Sequence, residues 1–229
     1  MFLGTYTPSQ KRAEKLLEAG HNILITGKPG TGKTAFIKDY CERKSKVKRI
    51  LLTASTGLAA SNLNSGKTIH SALNWRPAKT DYDYSTCIDK IKNYDLLVVD
   101  EVSMLNDCII KHLFLCLQNL PSKPQIVMIG DFFQLPPVTI SSRKQYPFES
   151  PYWEQLNLFP CLLNEVVRQK DEEFLAMLEL ARYGDPSCIL YFNEYTQKEK
   201  IENAITICSR NDIAHKINQE LLSKLPGDT

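Results

Sequence analysis

The sequence predicts an α/β protein in which helices flank a parallel β-sheet, and two observations carry that prediction. Short apolar runs alternate with stretches of helical period, the order that repeated strand, loop and helix units produce. Four of those runs are almost unbroken in apolar residues, as strands covered on both faces should be.

Taken in order, residues 9–19 read as an amphipathic helix and residues 21–26 (HNILIT) as the first buried strand. A second helix over 33–43 leads to a strand at 49–53 (RILLT). Residues 74–84, with Pro77 and several aromatic residues, read as a surface excursion before the third strand, 95–99 (DLLVV). A long helix over 104–120 is stopped by Pro121 and followed by the strand 125–129 (QIVMI). After Pro136 and Pro137 the pattern loosens into a loop reaching Trp153. Helices are expected over 171–183 and 211–223, and a late strand at 204–208 suggests that a second sheet is beginning.

Composition sets the bounds. At 229 residues and 43% apolar content the chain can fill a large core. Lys and Arg number 28 against 26 Asp and Glu, a net charge of +2, so bulk charge does not steer it to a polyanion and any such contact must be local. The seven cysteines, at 41, 87, 108, 116, 161, 188 and 208, are odd in number and lack the short paired spacing of zinc ribbons, which implies reduced thiols in a cytoplasmic protein. No segment approaches the ~20 apolar residues of a membrane span.

The strongest motif is Gly27-Lys28-Pro29-Gly30-Thr31-Gly32-Lys33-Thr34, a GxxxxGK[ST] run that leaves a predicted strand and opens a predicted helix. Gly27, Gly30 and Gly32, spaced by Pro29 and Thr31, let backbone N–H groups turn inward around phosphate oxygens at a helix N-terminus. Lys33 is placed to reach the β and γ phosphates of ATP and Thr34 to ligate Mg2+.

Asp100 and Glu101 close the strand DLLVVD at the carboxyl edge, where a parallel sheet gathers its chemistry. Asp100 suits the metal, and Glu101 suits a general base acting on water. A plainer reading makes the two acids a helix cap. Gly130-Asp131-Phe132-Phe133-Gln134-Leu135-Pro136-Pro137 leaves the next strand at the same edge, putting Gln134 where an amide can sense the γ phosphate or the attacking water; alternatively it is a Pro-stiffened turn.

Together with Thr56-Gly57-Leu58-Ala59-Ala60 and Thr68-Ile69-His70-Ser71, these segments resemble the Pif1 and RecD branch of superfamily 1 DNA helicases, for which DEVSM and GDFFQLPPV are specific. Gln10 resembles the adenine-reading glutamine of that family, and Phe148, Trp153 and Leu163-Asn164-Glu165-Val166-Val167-Arg168-Gln169 continue the similarity downstream. The resemblance implies a RecA-like motor domain over 1–163, a hinge and the truncated start of a second over 164–229, and a guanidinium from Arg168 that stabilises transition-state charge. It also implies 5′ to 3′ translocation on single-stranded DNA, with Thr56, His70, Phe133 and Pro136 as the DNA contacts; a monomer is expected, although the sequence does not itself fix the oligomeric state.

His70 reads equally as a residue that packs within its own helix, and Phe132 and Phe133 read more naturally as core. The basic run from Arg43 to Arg49 suits a solvated helix end, where cations complement the dipole. Two other functions stay open: a P-loop ATPase of the AAA type that is not a helicase, and a nucleotide-gated DNA-binding module. DNA-stimulated ATP turnover distinguishes the motor from both.

Overall fold

The computed structural model describes residues 5–64, 66–75, 84–137, 146–167, 171–196 and 204–225. The chain divides into two compact units, residues 1–186 and 187–229. In the first, helices α1 (Pro8–Glu18), α2 (Lys33–Lys44), α3 (Gly57–Asn62), α4 (Ile69–Ala72), α5 (Tyr84–Ile91), α6 (Asp107–Gln118) and α7 (Glu172–Arg182) surround strands β1 (Ile23–Gly27), β2 (Ile50–Ala54), β3 (Lys67–Thr68), β4 (Leu96–Asp100), β5 (Gln125–Gly130) and β6 (Phe159–Leu163). The six strands form one sheet in the order β3-β2-β4-β5-β1-β6, every pairing parallel. The second unit carries α8 (Cys188–Tyr195) and α9 (Asn211–Leu222).

The unbroken apolar runs arise because the sheet has two covered faces. Along β4, Leu97 and Val99 join a core beneath α5 and α6, while Leu96 and Val98 join a second core with α1 and α2. In β5, Ile126 and Met128 go to the first and Val127 and Ile129 to the second. With each buried Val, Leu or Ile contributing about 1.5–3 kcal/mol, these alternating residues hold the sheet.

Local signals set the helix ends. Thr7 caps α1 through a box with Gln10, and Pro8 occupies the first turn. The helix expected from residue 104 starts later: Val102–Met104 form a 3-10 turn, Leu105 is extended, and the Asn106 side chain accepts from Ile109 N–H at 3.1 Å to begin α6. Asp171 caps α7 in the same way, its carboxylate accepting from Phe174 N–H at 3.0 Å.

One strand was not expected, and two expectations need correction. The stretch leading away from Trp153 contains β6, which lies on the sheet edge beside β1. Residues 204–208 form no strand; Ile205 and Ile207 are each 94% exposed, and an isolated β-segment without a partner is not stable. Cys87 on α5 and Cys116 on α6 are joined as a disulfide inside the first core, so those two are not free thiols; Cys41, Cys108, Cys161, Cys188 and Cys208 are. Residues 76–83 of the expected surface excursion lie outside the described residues, while its ends, Trp75 and Tyr84, pack against the first core. No helix among the described residues is long and apolar enough to cross a membrane.

Candidate active site

A cleft of about 360 Å³ opens at the carboxyl edge of the sheet, lined by Pro29, Gly30, Gly32, Lys33, Thr34, Ala35, Asp100, Glu101, Gly130 and Gln134. Its floor is the turn from β1 into α2. Gly32, at the helix cap, has φ 77°, a left-handed conformation that favours glycine. Gly27 is required by close approach: a Cβ there would sit 2.4 Å from the carbonyl oxygen of Leu163 on β6.

Lys33 Nζ donates to the carbonyls of Gly27 at 2.7 Å and Lys28 at 3.1 Å. Burial pushes its pKa down, opposed by Asp131 and Glu101 and reinforced by Arg182. Thr34 Oγ1 donates to Asp100 Oδ2 at 3.0 Å, so a hydroxyl and a carboxylate meet as a pair of hard oxygen donors. Asp100 Oδ1 accepts from the N–H of Glu101 at 2.9 Å. Burial raises the pKa of Asp100, and burial followed by the Asp100 charge raises that of Glu101. Glu101 also holds φ at 54°, an uncommon conformation for a residue with a side chain and one that clusters at functional sites.

Gln10 lies elsewhere. It is fully buried behind the phosphate loop, its Oε1 accepting from Thr7 N–H at 3.1 Å and its Nε2 donating to the Thr31 carbonyl at 3.3 Å. The segment after β6 drapes over the same loop, with Val167 N–H donating to the Gly30 carbonyl at 2.9 Å and Ser9 donating to Glu165. Arg168 lies outside the described residues.

A second depression, about 250 Å³, adjoins the cleft and is lined by Thr56, Leu58, Ala59, Asn62, Glu101, Ser103, Met104, Gln134 and Leu135. Glu101 and Gln134 therefore line both. Of the expected nucleic-acid contacts, Thr56 is in this groove, although its side chain also caps α3 by accepting from Ala59 N–H at 3.2 Å. His70 does not line it; it packs on Trp75 with ring centres 5.2 Å apart, and burial lowers its pKa. Phe132 is core, edge-on to Phe148 and Trp153, but Phe133 is 57% exposed, contrary to the expectation of a core residue. Pro136 is half-buried.

Three of the five cations in the basic run are engaged in ion pairs: Arg43 pairs with Glu14 and Asp39, Lys44 with Glu18, and Arg49 with Asp95. Arg182 is the residue the motifs did not mark. It reaches Asp131 from the last turn of α7, and only its place just before Tyr183-Gly184 at a helix end singles it out in the sequence.

Residues 10–140 match the family described as an AAA domain. The chain is 30% identical over 241 residues to the ATP-dependent DNA helicase Pif1 of Campylobacter jejuni, covering 93% of this chain and 54% of that protein. Among solved structures, Pif1 helicase from Candida albicans superposes with a TM-score of 0.83 at 26% identity, over 99% of this chain and 56% of that one. Bacteroides Pif1 bound to single-stranded DNA gives 0.81 at 26% identity, over 99% and 57%. The chain thus spans about half the length of each of these proteins.

Proposed function

The chain belongs to the AAA-domain family of P-loop proteins, in its Pif1 helicase branch, and from that premise we propose that it binds and hydrolyses ATP with Mg2+ and couples hydrolysis to single-stranded DNA as the leading part of a helicase motor. The observation that carries this reading is the convergence of Lys33, Thr34, Asp100, Glu101 and Gln134 on one cleft from three separate strand ends.

The division of labour follows from the chemistry of each group. Backbone N–H groups at Gly30 and Gly32 and the Lys33 ammonium neutralise the β and γ phosphates. The oxygen donors of Thr34 and Asp100 suit Mg2+, which when bound would offset phosphate charge. Glu101, with a pKa raised by burial and by Asp100, is a better proton acceptor than an exposed carboxylate and takes the proton from the attacking water. Gln134 orients that water, and Arg168 supplies a guanidinium in the transition state. Gln10, which braces the phosphate loop through Thr31, reads the adenine of ATP, as the family resemblance implies.

The groove holding Thr56 takes the DNA backbone, with the exposed Phe133 ring and Pro136 bracing a base and His70 supporting α4 from within. Because Glu101 and Gln134 line both depressions, strand binding acts directly on the hydrolytic groups. The proposed motor domain, 1–163, ends with β6, and 164–229 forms the hinge and the opening of a second domain. A DNA-dependent, monomeric, cytoplasmic enzyme moving 5′ to 3′ is the corresponding whole-protein role.

Steady-state ATP turnover, measured at low salt with and without single-stranded DNA, tests the proposal. We expect stimulation by the strand and loss of both turnover and nucleotide binding in Lys33→Ala. Turnover that survives in that variant would place the chemistry elsewhere.

A further inference from the structure

Asp131, at the end of β5, is 1% exposed, and its carboxylate is engaged on both oxygens. Oδ1 accepts from Phe133 N–H at 3.1 Å, and Oδ2 accepts from Gln134 Nε2 at 3.1 Å and from Arg182 Nη1. The Arg182 guanidinium also lies 4.5 Å over the Phe133 ring, so its planar cation is held by a carboxylate and an aromatic face together. One turn earlier on α7, Glu179 pairs with Lys28 in the phosphate loop. The helix is therefore fastened to two walls of the nucleotide cleft, and the Arg182 contact is the buried one, its side chain 11% exposed against 41% for Glu179.

The consequence falls on Gln134. Its side chain is otherwise exposed, and an exposed glutamine samples many rotamers. One of the two amide N–H groups is committed to Asp131, which fixes the amide plane and leaves the carbonyl oxygen unengaged by that bond, able to accept from water. Asp131 without Arg182 would be a buried, uncompensated carboxylate close enough to Lys33 to compete for its ammonium. The Lys33 pKa already registers both charges, in opposite directions.

We propose that Arg182 is a positioning residue for hydrolysis: by pairing with Asp131 it fixes the Gln134 amide so that its oxygen orients the attacking water, and it ties that geometry to α7. The inference rests on the ATPase reading above and assigns a role within the same site.

The test is steady-state kinetics on the full chain together with binding of a fluorescent ADP analogue. Arg182→Met should lower kcat roughly 10- to 100-fold, the scale on which mispositioned catalytic groups act, while KM and ADP-analogue affinity stay within about threefold of wild type. Arg182→Lys keeps the charge but not the fork and should recover part of kcat. Because Arg182 is argued to act through Gln134, Arg182→Met in a Gln134→Ala background should cost little more than Gln134→Ala alone. If Arg182→Met does not fold, Arg182→Lys with and without Gln134→Ala supplies the same comparison. A kcat within twofold of wild type in these variants, or losses that multiply in the double variant, would overturn the assignment while leaving the ATPase reading intact. A wild-type chain that binds the analogue but never turns ATP over would overturn both.

Discussion

Glu101 concentrates the chemistry of the cleft in one residue, because its backbone is left-handed and its carboxylate is both half-buried and next to Asp100. A carboxylate whose folded pKa lies above its unfolded value binds more protons in the native state. Its contribution to stability is therefore fully present below the ordinary value and lost as pH rises through the raised one. Glu101→Gln removes that loss, so its advantage in urea midpoint over wild type should grow as pH rises above the ordinary glutamate value. The same substitution should reduce ATP turnover by a factor of about 100 or more, with nucleotide affinity preserved, because an amide cannot take the proton. A binding defect of similar size would make Glu101 structural. In wild type, turnover should fail on acidification at a higher pH than an ordinary glutamate would give. Lys33, Thr34, Asp100 and Glu101 were legible in the sequence because each sits at a fixed offset from an apolar run. Arg182 was not, since an arginine in the last turn of an amphipathic helix has the same local pattern whether it faces water or a buried aspartate. Gln10 was legible as a special residue and not as a buried one: the same side chain that completes a capping box also satisfies the phosphate loop from behind.

Among the elements, β1, β2, β4 and β5 were readable from sequence to within two residues because both faces of each are covered. The edge strand β6 was not. Its burial alternates, Phe159 and Leu162 are about half exposed, and Pro160 stands inside it, a residue tolerated on an edge and read as evidence against a strand. Yet β6 abuts the start of the phosphate loop, since its Leu163 carbonyl lies where any Cβ at position 27 would fall. Gly27→Ala should accordingly destabilise the chain by about 3 kcal/mol, the upper end of what steric overpacking typically costs. A denaturation midpoint close to wild type would mean that β6 can shift at little cost. The long helix expected from residue 104 was read one step too early, because the apolar period runs through Val102–Met104 while the cap at Asn106 decides where hydrogen bonding starts.

For the whole molecule, a net charge of only +2 and a densest basic run in which Arg43, Lys44 and Arg49 are already paired to Glu14, Asp39, Glu18 and Asp95 give little bulk attraction for phosphate. Single-stranded DNA binding should therefore weaken only gently with salt, with a log–log slope shallower than about −4, given roughly −0.7 per neutralised phosphate. Anisotropy titrations of a labelled oligonucleotide at several salt concentrations would measure it, and a much steeper slope would reveal a basic surface that the paired run does not supply. The placement of β6 also sets the order in which the chain can mature. Its partner β1 begins at residue 23, and Ile23 aligns with Phe159, so the contact that encloses the phosphate loop joins distant parts of the chain. Such long-range parallel pairings form late. A ribosome-bound chain that has emerged only as far as β5 already carries the lysine, threonine and both acids, but not the backbone that closes over Gly27; the ability to hold nucleotide should appear abruptly, once the segment through Val167 has left the exit tunnel.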